Sequence, residues 1–150
     1  MNSQEDGQIP KLIKFTVYGD AVAQGRPRAT SIGGHVRLYD PEKSRSYKEI
    51  VRIDALKVRP EKPLGGAISL TIIVYKSIPK SMSKKRQKLA LKGDARPTTK
   101  PDIDNVVKGI KDALKGVIWR DDSQVVTLSA KKYYSDVPRV EVVVEEIKCD

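Results

Sequence analysis

The segment from residue 104 to residue 114 constrains the fold of this chain more than any other feature. Its apolar residues recur at helical spacing on one stripe: Val106, Val107, Ile110, Ala113 and Leu114. Gly116, just beyond the segment, is typical of a helix end. An amphipathic helix of this kind must bury its stripe against another element. Because 39% of the 150 residues are hydrophobic, the chain has enough apolar material for a single core.

The remaining periodic segments predict a β-sheet and a second long helix. Strands are expected over 14–18, 67–75, 125–133 and 139–147, and a hairpin over 28–39 that turns at Gly33 and Gly34. Ser46 is expected to cap a helix through about Lys57, with Ile50 and Ile53, and further on Ala55 and Leu56, at helical spacing. We therefore predict an α+β fold: one domain over residues 1–150, with a mixed β-sheet flanked by helices and a flexible segment over 1–10.

Several classes of protein are excluded by what the sequence lacks. The first ten residues have neither the basic nor the apolar region of an export signal, and no apolar run approaches the length of a membrane span. Cys149 and His35 are the only residues of their types, so a cysteine-based zinc site and a histidine-rich centre are excluded. We expect a cytoplasmic protein without a membrane partner, whose chemistry depends on carboxylates.

Charge is distributed unevenly along this basic chain, which has a formal net charge of +10. Residues 76–100 include nine basic residues and one acidic residue, whereas residues 101–124 include five aspartates and no glutamate. Within the basic stretch, a short helix over 84–91, capped by Ser81 or Ser83 and stopped by Gly93, is expected. Lysine runs are often only a solvated helix face. Next to a carboxylate cluster, however, this run indicates a surface that attracts a polyanion and a site that holds a cation on it.

The aspartates are spaced as candidate ligands of a hard divalent cation. Asp102 lies in an extended loop and Asp104 at the start of the helix, so both carboxylates can point to one side of the junction. Helix capping alone would explain one of them. Lys108, four residues after Asp104, could pair with that residue or meet a phosphate oxygen. The adjacent Asp121 and Asp122 would repel each other unless they were solvated or bridged by a cation, and one of them is a natural third ligand.

These residue types fit a metal-dependent nuclease. A hard divalent ion such as Mg²⁺ takes oxygen ligands and keeps several waters, so two or three carboxylates are sufficient when phosphates supply the rest. Such an ion polarises a phosphodiester and generates a hydroxide nucleophile without histidine or cysteine.

A longer pattern resembles the RusA family of Holliday-junction resolvases. It consists of Lys100–Asn105, Lys108, Asp112–Leu114 and Trp119–Gln124, and the likeness extends to Gln24–Arg28 and Ser81–Gln87. The resemblance implies a homodimer that cleaves four-way DNA with Mg²⁺, for which Mn²⁺ could substitute. By the same resemblance, the catalytic and metal-binding carboxylates are Asp102, Asp104 and Asp122, and Lys108 acts on the scissile phosphate.

A two-fold dimer also suits the implied substrate, because resolving a four-way junction requires two symmetrical nicks. Contacts to DNA phosphates are expected from six basic residues: Arg26, Arg28, Lys84, Lys85, Arg86 and Lys88. Two alternatives remain open at this point. One is a flap- or branch-selective nuclease with the same catalytic centre, and the other is a non-enzymatic basic domain that binds nucleic acid.

Overall fold

Six strands and three helices form the described part of the chain. The computed structural model describes residues 11–25, 28–39 and 42–148, so segment 1–10 and Cys149 lie outside the described residues. The elements are β1 (Leu12–Tyr18), β2 (Arg28–Ile32), β3 (His35–Tyr39), α1 (Glu42–Leu56), β4 (Ala67–Ser77), α2 (Lys84–Lys92), α3 (Ile103–Leu114), β5 (Val125–Ser135) and β6 (Arg139–Ile147). A short 3₁₀ turn, Asp122–Gln124, precedes β5.

The main sheet has the strand order β1-β6-β4-β5. The pairs β1–β6 and β4–β6 are antiparallel, and the pair β4–β5 is parallel. Parallel neighbours need a crossover connection, which here contains α2 and α3. The predicted α+β architecture with a mixed sheet is therefore confirmed.

One face of this sheet packs against the helices to form the core. Alternate residues of β4, including Leu70, Ile72 and Val74, are buried, and their partners in β6 are the buried Val144, Val142 and Val140. The predicted stripe of α3 is buried in the same cluster. The apolar stripe of α3 therefore correctly predicts which of its side chains face inward, because an amphipathic helix has one buried face and one exposed face.

The prediction for α1 is wrong at its start and for most of its buried face. The helix begins at Glu42, so Ser46 lies inside it and does not cap it. Its buried residues are Ser44, Tyr47, Val51 and Ala55. Of the residues expected from the spacing only Ala55 is buried, whereas Ile50 and Ile53 are each 48% exposed and Leu56 is 40% exposed. Both sets have helical spacing, and the face that contacts α3 and β1 is the one with Tyr47 and Val51.

The caps and turns follow the expected chemistry. Gly33 and Gly34 both have positive φ angles, as a two-residue hairpin turn between β2 and β3 requires. Ser83, and not Ser81, caps α2 by accepting a hydrogen bond from the Arg86 amide, and Gly93 ends the helix in the left-handed region. No helix in the described ranges is both long and apolar enough to cross a membrane.

Candidate active site

Two exposed carboxylates stand at the beginning of α3. Asp102 occupies the N-cap position with extended backbone, but its side chain makes no capping hydrogen bond. Asp104 lies in the first turn of the helix. Within the described residues neither carboxylate forms an ion pair with lysine or arginine. Capping therefore does not account for the Asp102 side chain, and both negative charges remain available to a cation.

Asp122 is fixed by the largest buried side chain of the core. The indole Nε1–H of Trp119, whose side chain is fully buried, donates to Oδ1 of Asp122 over 2.9 Å. Tryptophan has a single polar donor, and a buried donor must be paired to avoid a desolvation penalty. The hydrogen bond thus orients the Asp122 carboxylate through Oδ1.

Asp121 has a different role from its neighbour. It caps the 3₁₀ turn, where one carboxylate oxygen accepts hydrogen bonds from the Ser123 amide and hydroxyl. Its other oxygen lies 3.4 Å from Nζ of Lys115. The Ser123 hydrogen bonds, followed by the nearby Lys115, lower the pKa of Asp121 to about 2. Asp121 is therefore engaged in local structure, which leaves Asp122 as the better candidate for chemistry.

Lys108 and Asp122 line one small cleft. This cleft, of about 220 Å³, is bounded by Gln24, Lys108, Lys111, Asp112 and Asp122. The Asp112 carboxylate is held by an ion pair of 2.7 Å to Lys48 on α1, so it ties α1 to α3. Within the described residues, Lys108 has no ion-pair partner, and Asp104 is not close enough to form one. The surface pair between Asp104 and Lys108, considered from their spacing, is therefore not formed.

Asp102 borders a second, larger cleft of about 440 Å³. Residues 20–23 line this cleft, and the next residue, Gln24, lines the Lys108 cleft. The Gln24 amide donates to the Asn105 carbonyl over 3.0 Å, which fastens this segment across the first turn of α3. The two clefts are therefore adjacent, with Asp102 in one and Lys108 and Asp122 in the other. Asp104 lines neither cleft.

Two glutamines contribute to the site in ways that charge and spacing did not reveal. Oε1 of Gln24 is buried beside the Lys108 cleft and has no hydrogen-bond partner among the described residues. Gln124 accepts from the amides of Arg120 and Asp121, while its Nε2 donates to the carbonyls of Leu64 and Gly66. Gln124 therefore holds the turn that carries Asp122. Both residues lie in the segments that resemble the RusA pattern, and that likeness was the only available signal.

The basic helix α2 lies apart from these carboxylates in the sequence and displays its charges to solvent. Four of its predicted DNA-binding residues are exposed, and they are Lys84, Lys85, Arg86 and Lys88. Arg26 lies outside the described residues, and only the backbone of Arg28 is described.

The donor chemistry suits a hard divalent cation. The three candidate ligands are carboxylates, two of them exposed and one half-buried. Within the described ranges, no three acidic, histidine or cysteine side chains are close enough together to hold a metal ion. Mg²⁺ commonly uses one or two carboxylates and completes its shell with waters and substrate phosphates. A preformed cage of three protein ligands is therefore not required.

Exposed carboxylates beside an unpaired lysine, with a basic helix elsewhere on the surface of the described residues, are features typical of a nuclease. The model of the family described as endodeoxyribonuclease RusA matches residues 5–145. The chain therefore belongs to the RusA endodeoxyribonuclease family, as the sequence pattern predicts. Membership confirms the prediction of a nuclease and excludes the alternative of a non-enzymatic binding domain.

The chain is also similar to two individual proteins. The chain is 53% identical over 137 residues to the uncharacterized protein YqaN of Bacillus subtilis (strain 168), covering 90% of this chain and 96% of the relative. It is also 37% identical over 51 residues to a protein of Lactococcus phage r1t named crossover junction endodeoxyribonuclease rusA. That second match covers 33% of this chain and 39% of the phage protein.

Proposed function

We propose that this chain resolves four-way DNA junctions by hydrolysing one phosphodiester in each of two symmetry-related strands. The observation that carries the proposal is the arrangement along α3. Among the described residues Asp102 and Asp104 have no ion-pair partner at its start, and Lys108, one turn further along, shares a cleft with Asp122. Family membership supplies the reaction class, and the phage relative's name indicates the substrate.

The proposed metal ligands are Asp102, Asp104 and Asp122, and the proposed cation is Mg²⁺, for which Mn²⁺ can substitute. When bound, such an ion polarises the phosphodiester and lowers the pKa of a coordinated water. Trp119 orients the Asp122 carboxylate, and the turn held by Gln124 fixes the position of its backbone.

Lys108 is proposed to contact the scissile phosphate. Because its ammonium group has no ion-pair partner among the described residues, it is available to the charge that develops on the phosphate oxygens. A carboxylate beside it in the cleft, Asp112, is already occupied by Lys48.

Binding of the DNA backbone is proposed to depend on basic residues outside the clefts: Arg26, Arg28, Lys84, Lys85, Arg86 and Lys88. Phosphate contacts of this kind hold the duplex arms without reading their sequence. The proposed functional unit is a homodimer, because a two-fold axis places two identical sites on a two-fold substrate.

The experiment that tests this function is cleavage of a mobile four-way junction labelled on each strand in turn. Linear duplex, flap and single-stranded DNA serve as controls, each with Mg²⁺ and with EDTA. We expect symmetrical, ligatable nicks in the junction alone, and only with Mg²⁺. Faster cleavage of the flap than of the junction would favour the flap-selective alternative, and cleavage in EDTA would contradict the proposed metal dependence.

A further inference from the structure

Two lysines from neighbouring strands hold the loop that leads into Asp102. Nζ of Lys76, at the end of β4, donates to Oγ1 of Thr99 over 2.7 Å and to the carbonyl of Lys100. Nζ of Lys132, in β5, donates to the carbonyls of Thr99 and Pro101 over 2.7 and 3.0 Å. Three consecutive carbonyls before Asp102 therefore accept hydrogen bonds from two ammonium groups.

The strand register explains why these two lysines converge. Val74 of β4 pairs with Lys132 of β5, and Lys76 pairs with Tyr134. Because side chains alternate along a strand, Lys76 is on the same face as the buried Val74, and Lys132 is on the face of its partner Val74. Both lysines thus extend from the helix-covered face of the sheet at the end where α3 begins.

The arrangement places two positive charges next to each other without a carboxylate bonded to either one. Within the described residues, neither lysine forms an ion pair. Burial, and next the charge of Lys76, lowers the pKa of Lys132, while the negative charge of Asp102 opposes that effect. Hydrogen bonds from an ammonium group to carbonyls are charge-assisted and therefore strong. The repulsion between these two ammonium groups is therefore located at the loop that leads directly into Asp102.

The backbone of Asp102 is also held on its C-terminal side, because the Asp102 carbonyl accepts a hydrogen bond from the Val106 amide in the first turn of α3. The lysines therefore complete the restraint of this residue from its N-terminal side. In the part of the chain that the structure describes, the Asp102 carboxylate forms no ion pair, although Lys76 lines the same cleft and the charge of Asp102 acts on Lys132.

We infer that Lys76 and Lys132 are positioning residues, which set the place of Asp102 by clamping the carbonyls of residues 99–101. This inference rests on the proposed function, in which Asp102 is part of the catalytic site. A misplacement on the scale of 1 Å costs on the order of 100-fold in rate. The clamp should therefore control the rate of the bound complex and leave DNA affinity almost unchanged.

The test compares Lys132→Met, Lys76→Met and the double variant with Lys131→Met. Methionine keeps the apolar part of the lysine side chain and removes its hydrogen-bond donors. Lys131 is an exposed neighbour that pairs with Ile73, so it points to the other face of the sheet and is the matched control. Three quantities are measured for each protein: single-turnover cleavage at saturating enzyme, junction affinity, and amide hydrogen exchange.

We expect the single variants to lower the saturated cleavage rate about 10-fold and the double variant about 100-fold, with affinity within about twofold of wild type. Exchange of the Val106 amide, which donates to the Asp102 carbonyl, should rise on the order of tenfold, while exchange in β1 and β6 stays unchanged. Lys132→Arg, which retains donors, should recover most of the rate, and Lys131→Met should match wild type.

Other results would overturn the clamp. One is a double variant that cleaves at the wild-type rate. A second is amide exchange that rises equally throughout the domain, which would indicate that the lysines stabilise the whole fold and do not act on this loop in particular. A third is equal loss of affinity and rate, which would make the lysines phosphate contacts. Because exchange is measured without DNA or added cation, it decides on the clamp even if the wild-type protein cleaves no junction.

Discussion

The indole N–H of Trp119 donates to Oδ1 of Asp122 over 2.9 Å, which joins the most buried aromatic residue of the core to a candidate catalytic carboxylate. The adjacent Asp121 instead caps the 3₁₀ turn, where its carboxylate accepts a hydrogen bond from the Ser123 amide. Of these two adjacent aspartates, Asp121 is therefore engaged in local structure, whereas Asp122 is available for chemistry. The division depends on the core position of Trp119 and on the hydrogen-bond donors of the turn.

Trp119→Phe should uncouple Asp122 from the core. It removes the donor and leaves a small cavity, so we expect a loss of about 1–3 kcal/mol in the free energy of unfolding, measured by urea denaturation. Because partners that orient a ligand contribute 10–100-fold to activity, cleavage by the folded variant should fall by about 10-fold or more. Ile118→Val, a buried change next in the chain, should cost about 1 kcal/mol and leave cleavage intact. Equal cleavage by both variants would mean that the hydrogen bond does not position Asp122.

Asp121→Asn should preserve cleavage and alter the pH dependence of stability. Asparagine caps turns and helices about as well as aspartate, so the turn should persist. The pKa of Asp121 is lowered from 3.8 to about 2 in the folded protein. Its charge-dependent stabilisation is therefore present above about pH 4 and is lost as the pH falls toward 2.

This difference is measured by denaturing wild type and Asp121→Asn in urea at several pH values from 6 to 2. The gap between their free energies of unfolding should narrow over the window from pH 4 to pH 2. A gap that is constant with pH would show that the Asp121 charge does not stabilise the turn.

The fold was largely predictable because its elements have one wet face and one dry face. The α3 stripe and the alternation in β6 are sufficient to identify the buried side chains of these two elements. In α1, two overlapping sets of residues have helical spacing, and only packing on α3 and β1 determines which set is buried. Spacing along the sequence alone does not indicate which of the two helix faces is buried.

The candidate site was predictable in its residue types and not in its supporting contacts. Carboxylate spacing pointed to Asp102, Asp104 and one member of the Asp121–Asp122 pair. The hydrogen bonds of Trp119 and Gln124, and the lysine clamp on residues 99–101, join segments distant in sequence. Such contacts depend on strand register and loop closure, which local patterns do not determine.

Lys108 and the α2 lysines should separate catalysis from binding. Lys108→Ala should lower the single-turnover rate by on the order of 100-fold with little change in junction affinity, because the contact is made to the transition state. Lys84→Ala combined with Lys85→Ala should weaken binding and reduce the slope of log affinity against log salt by about one per lost contact. Saturated cleavage should then stay near wild type. Parallel losses of rate and affinity in both proteins would make Lys108 another phosphate anchor.

Three charge-removing substitutions test most directly whether the carboxylates at the start of α3 and on the turn before β5 perform the hydrolysis. Junction cleavage and gel-shift affinity are measured with Mg²⁺ for Asp102→Asn, Asp104→Asn and Asp122→Asn. The matched control is Asp54→Asn, which changes a half-buried carboxylate that is paired with Lys57 and lines neither cleft. Each site variant should bind the junction with near wild-type affinity and lose cleavage, because the swap removes ligand charge at nearly constant shape. Wild-type cleavage by all three would contradict the account.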